Sequence, residues 1–136
     1  MGNRMGAIFK PLYRVIMLLL ATIVCANAQL SPLWRMCTGN PDIAWDQQIK
    51  SCTALIESKS EVPENVAIAF FNRALSHENM DDYVRAIADY TESIRLNPKD
   101  ADSFFFRSLC KARTGDKSGA EADMAEAKRL NPNIGR

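Results

Sequence analysis

The chain has 136 residues, with 17 Lys and Arg against 16 Asp and Glu and a formal net charge of +1. That length suits one small domain. Balanced charge with no basic run argues against nucleic acid as a partner, and a single histidine leaves any metal site without its commonest ligand.

Residues 1–28 carry Arg4, Lys10 and Arg14 and no acidic residue. An apolar run, Val15–Cys25, follows, and then the small-x-small sequence Ala26-Asn27-Ala28. This order reads as a secretory signal peptide cleaved after Ala28. The apolar run falls short of the roughly 20 residues that a membrane span needs, so an uncleaved anchor is the alternative. Lipidation at Cys25 is disfavoured because Val24 is branched where lipoprotein signals carry a small residue. Cleavage removes three positive charges and takes the net charge from +1 to −2. The expected location is periplasmic or secreted, with inner-membrane anchoring as the alternative.

An exported chain keeps Cys37, Cys52 and Cys110 where disulfides persist. Cys37 and Cys52 lie close enough in sequence to close a short loop, and a bridge between them is expected. Two separate buried thiols are the alternative. Cys110 reads as a small packed residue on a helix.

Residues 29–41 read as a connector containing Pro32, Trp34, Gly39 and Pro41. Asp42 is the expected N-cap of a helix over 43–58, with Ile49, Cys52, Thr53 and Ile56 on one stripe. Pro63 closes that segment. Further helices are predicted over 64–79, 82–96, 101–113 and 116–130. Asn97-Pro98 turns the chain between the middle pair, and Gly115 supplies a left-handed stop. No segment alternates with the period of a strand, so the fold class is all-α.

Shifted by 34 residues, the chain overlays itself. Val66–Pro98 falls on Asp100–Pro132 without a gap. Phe70 meets Phe104, Arg73 meets Arg107, Ala86 meets Ala120, Asp89 meets Asp123, and Arg95-Leu96-Asn97-Pro98 recurs as Arg129-Leu130-Asn131-Pro132. A fixed period of this length marks a stacked-repeat architecture. The pattern resembles the tetratricopeptide repeat. Phe70 and Phe104 take its large aromatic position. Ala74 and Ser108 take the small position of the first helix, and Ala86 and Ala120 that of the second. Tyr90 and Met124, then Ser93 and Ala127, follow, and Pro98 and Pro132 close each copy.

Some positions depart from the family. His77 and Lys111 stand where it usually has Tyr, and Asp81 where it usually has Gly. Asp46–Ser60 is similar to a second helix alone, with Cys52 at its small position. The expected organisation is a signal peptide (1–28), a connector (29–41), a half repeat (42–62), two full repeats (63–98 and 99–132) and a tail (133–136). That makes a short α-solenoid of about two and a half repeats.

The resemblance implies a non-catalytic protein-interaction module. No cofactor, no metal site and no catalytic residue is expected. Asp81-Asp82 reads as a helix cap, Glu121 and Asp123 as a solvated face, and His77 as a packed residue. The family's peptide groove is carried over to Ile68, Phe71, Asn72, Leu75, Asp102, Phe105, Phe106 and Leu109. For Phe106, packing between repeats is an equal alternative. Family members that clamp C-terminal carboxylates use Asn, Lys and Arg at three groove positions. Asn72 fits the first, but Asp102 and Phe106 replace the two cations, so that clamp is excluded. The expected partner is a protein or peptide with apolar anchors. Homo-oligomerisation is a further alternative, because Met124, Ala127 and Leu130 on the last helix are predicted to lie partly uncovered.

Overall fold

A computed structural model describes residues 32–39 and 42–136. The signal-peptide reading of residues 1–28, with its cleavage and lipidation questions, lies outside these residues, as do 29–31 at the start of the connector. The described part consists of six α-helices and turns, with no strand among the described residues.

The connector is not merely a linker. It holds helix α1, Pro32–Cys37. Pro32 suits a first helical position, where a missing N–H costs nothing. Trp34 and Cys37 are its buried residues. The Trp34 indole donates to Glu61 at 2.9 Å, and Cys37 is bridged to Cys52. A helix of one and a half turns has little stability alone; these two long-range ties hold it.

Helix α2 is Trp45–Ser58, starting later than the sequence predicted. Its N-cap is Ala44, which offers no capping side chain, and Asp42 does not cap it. Its buried stripe is Gln48, Ser51, Cys52 and Leu55 rather than the one centred on Ile49 and Ile56. Lys59, at φ 52, ends it. Helix α3 then starts at Pro63, again a proline in the first turn, and runs to Asn79.

The remaining helices carry their own local signals. Asp82 caps α4 (Tyr83–Leu96) by accepting from the Arg85 backbone N–H. Asp100 caps α5 (Ala101–Thr114), and Asp116 caps α6 (Lys117–Leu130) by accepting from Gly119. Each satisfies a donor that the first helical turn leaves open. Gly115, at φ 90, stops α5. The matching turn after α3 uses Asp81 at φ 59, a position for which Asp is better suited than most side chains.

Each helix packs against its neighbours in sequence. Small residues make the closest approaches: Ala67, Ala69, Ala74 and Ala86 are all buried. Among the described residues, Tyr90 is the largest fully buried side chain.

The half repeat sits in a different register from the predicted one. Buried Gln48, Ser51, Cys52 and Leu55 of α2 correspond in spacing to buried Ala86, Asp89, Tyr90 and Ser93 of α4. That offset exceeds the 34-residue period by four positions, close to one helical turn. Helix α3 absorbs the turn, being 17 residues long where α5 has 14. Cys52 therefore occupies the place of Tyr90, not the small position of Ala86.

Candidate peptide-binding groove

Four rings join the two full repeats. Phe71 on α3 meets Tyr90 edge-on at 5.7 Å between centroids and Phe106 at 5.8 Å. Phe106 stacks on Tyr90 at 6.1 Å, and Phe105 meets Phe106 at 5.3 Å. Such offset and edge contacts contribute beyond simple burial. The Tyr90 hydroxyl donates to Glu78 at 2.8 Å. Burial first, and then the Glu78 charge, push the phenol far above its ordinary range.

The eight residues assigned to the groove from the sequence do not share one surface. Ile68, Phe71 and Asp102 line a hollow of about 200 Å³ between the starts of α3 and α5, together with Ser93, Asn97 and Asp100. Ile68 is 47% exposed there. Asn72 turns its amide to its own helix and donates to the Ile68 carbonyl. Leu75 and Phe106 pack against the core around Ala74, Ala86, Tyr90 and Cys110. Phe105 is approached by the chain at Gly135, where an added Cβ would lie 3.0 Å from its ring. Leu109 lies on a different opening, at the far side of α5 and α6.

Each full repeat also carries a buried ionic fork. Arg73 donates to both oxygens of Asp89 at 2.8 Å, and its third nitrogen reaches Thr53. Arg107 makes the same fork to Asp123 at 2.7 Å and reaches Thr91. The two guanidinium groups lie over Phe70 and Phe104 respectively. Each arginine thus ties its own repeat together and reaches back to the preceding helix. Bidentate geometry of this kind is the strong form of the ion pair.

Asp123 is therefore not part of a solvated face: it is buried, and Lys111 also contacts it at 2.9 Å. Burial alone would raise its carboxyl, but the hydrogen bonds and charges of Arg107 and Lys111 hold it below its ordinary value. The sequence contained the signal, since both partners recur at the same offset within each copy. What it hid was the burial, because a helix with Glu121 and Asp123 reads as solvent-facing.

His77 is packed, as expected, with only 6% of its surface exposed. Desolvation lowers its pKa, so the ring is neutral at pH 7, with Nε2 3.9 Å from Asp89. Cys110 is a buried free thiol. Burial, and then the Glu78 charge, push it up to about 12, leaving no thiolate for nucleophilic or redox chemistry at neutral pH. Among the described residues, no group of three His, Cys, Asp or Glu side chains is placed to hold a metal ion. No described helix is long and apolar enough to cross a membrane.

Comparison with known proteins agrees with this geometry. The family model of the tetratricopeptide repeat matches residues 67–100, which span most of α3, all of α4 and the turn into α5. No curated protein matches the chain.

Proposed function

We propose, from the premise that this is a tetratricopeptide-repeat chain, that it is a non-catalytic interaction module of the cell envelope which binds a peptide segment between α3 and α5. Tetratricopeptide repeats are protein-interaction modules, and the finer reading rests on one observation. Ile68, nearly half exposed, stands beside Phe71 and the Asp102 carboxylate at the mouth of a hollow. An exposed branched apolar residue next to an exposed carboxylate favours a segment with an apolar anchor followed by a basic residue. A C-terminal carboxylate would instead meet Asp102, a like charge. The signal-peptide pattern read in residues 1–28 supports the envelope as the place where the partner is met, and the Cys37–Cys52 bridge suits an oxidising compartment.

The test is affinity capture from envelope extract with the wild-type chain and with Ile68→Glu/Asp102→Lys. Both positions are exposed, so the variant should keep the wild-type circular dichroism spectrum while losing the captured partner. A set of captured proteins unchanged by the double substitution would remove the groove from consideration.

A further inference from the structure

The open side of the α5–α6 pair has a counterpart inside the molecule that shows what fits it. A cavity of about 460 Å³ lies there, lined by Leu109, Ala112, Ala120 and Met124, with Glu121 and Lys128 on the same face. One period earlier, these positions are Leu75, Glu78, Ala86, Tyr90, Ile87 and Ile94. Those residues include the seat in which α5 lies: Phe106 stacks on Tyr90, and Cys110 is buried with Ala86 and Tyr90. The cavity is the same seat one repeat further on, open among the described residues.

The chain's own backbone turns away from this seat. Asn131–Gly135 corresponds to Asn97–Ala101, and Ala101 begins α5. Its counterpart Gly135 has φ 74 and lies against the Phe105 ring, which is not a helical start. Ile134 stands where Asp100 caps α5, and it is 8% exposed. An apolar side chain cannot accept from the helix N–H groups as a cap does. The turn anchors Ile134 and Gly135 against the fold, and the described residues leave the seat uncovered.

The differences between the two seats describe that helix. In the internal seat, Glu78 accepts from Tyr90 and Thr91 accepts from Arg107. Ala112, Met124 and Ala125 replace Glu78, Tyr90 and Thr91, so the open seat asks for fewer polar contacts, and Met124 adapts its shape to what it meets. Phe106 and Cys110 of α5 give the knob pattern, an aromatic residue and a small one a turn later. Glu121 and Lys128 stand in place of Ile87 and Ile94. A helix seated antiparallel to α6, as α5 lies on α4, sets its first half near Lys128 and its second half near Glu121.

The geometry points to a docking site on the α5–α6 face for an amphipathic helix of a partner protein. That helix carries an acidic residue near its start, an aromatic, a small apolar residue one turn on, and a basic residue near its end. The inference does not rest on the groove between α3 and α5.

The probe is a synthetic peptide with the sequence of residues 100–114 and Cys110→Ala, which presents Asp102, Phe106 and Arg113 in that order on one helical face. Titrated into the full chain and followed by fluorescence anisotropy, it binds. Ala125→Arg, at an exposed position of the face, weakens binding by roughly tenfold or more, since a desolvated unpaired charge costs over a kcal/mol. Its melting temperature stays that of the wild type, and Ile68→Glu leaves the affinity unchanged. A peptide with Phe106→Ala binds weakly or not at all. Absence of binding at millimolar peptide, or binding indifferent to Ala125→Arg, overturns the proposal. So does a dimer in light scattering that Ala125→Arg splits, because a second copy would then be the occupant.

Discussion

The chemistry of single residues here is governed by burial more than by charge count. His77 occupies a place where the repeat family usually carries Tyr, and desolvation lowers its pKa from 6.5. Above pH 6.5 the ring is neutral in both folded and unfolded chains, so it adds no pH dependence. Below that value the unfolded chain takes up a proton that the folded form resists, and stability falls as pH is lowered. His77→Tyr should flatten urea stability as pH falls below 6.5, the unperturbed histidine value; a slope equal to that of the wild type would clear His77 of the effect. Asp123 acts further down. Its folded pKa is depressed, so its contribution is complete above 3.8 and disappears as pH falls through the folded value. Replacing one member of its fork is more severe than protonation, because Arg107 and Asp123 are both largely buried. Asp123→Ala should cost about 3 kcal/mol by leaving the guanidinium without its partner. The double variant Arg107→Ala/Asp123→Ala should cost less than the two single losses added, a non-additivity that denaturant titrations of all four chains measure directly.

At the scale of elements, α2 and the four helices of the two full repeats were legible in the sequence, and α1 was not. Asp82, Asp100 and Asp116 are local caps, Gly115 is a local stop, and the 34-residue period carries α3 and α4 onto α5 and α6. Helix α1 has no such signal. It is held by the Cys37–Cys52 bridge, which the sequence led one to expect, and by Trp34 against Glu61, which it did not. The register of α2 was misjudged for a related reason. Applying the strict period set Cys52 opposite Ala86, whereas one extra turn in α3 shifts the correspondence to Tyr90. The same separation applies to the groove. Positions transferred from a family pattern say which helix face they occupy, not whether a neighbouring ring or a returning tail has already covered it. Phe105 and Phe106 show both outcomes. The disulfide has a measurable consequence at this scale. It closes a separation of 15 residues, for which the chain-entropy model gives about 3 kcal/mol. Cys37→Ser/Cys52→Ser should lower unfolding stability by that order and leave α1 free to fray. Hydrogen exchange at Thr38, whose N–H donates to the Trp34 carbonyl at 2.8 Å, should then become fast while exchange in α4 and α5 stays slow. Equal protection of α1 in both chains would show that packing alone retains it.

At the scale of the whole described unit, stability is distributed along a line. The packed helix pairs are almost all sequence neighbours, the arrangement in which repeat stability is a sum of intrinsic terms and interface terms. The interface between the two full repeats concentrates on Tyr90, which touches Phe71 and Phe106 and is fully buried. A stack this short unfolds as one only while that interface holds. Tyr90→Ala removes the ring on which both contacts converge and should cost about 3–5 kcal/mol, the range for aromatic truncations in a core. Its second effect is the more informative one. With the interface weakened, α5 and α6 can unfold before α3 and α4, so a single urea transition becomes a broad or double one with a smaller apparent m-value. Tyr90→Phe keeps the ring and loses only the hydroxyl bond to Glu78, so it should lower stability modestly and leave the transition single. A Tyr90→Ala chain that still unfolds in one step with the wild-type m-value would mean that the repeats are coupled elsewhere. The remaining candidates would then be the two arginine forks, whose reach to Thr53 and Thr91 also crosses from one helix pair to the next.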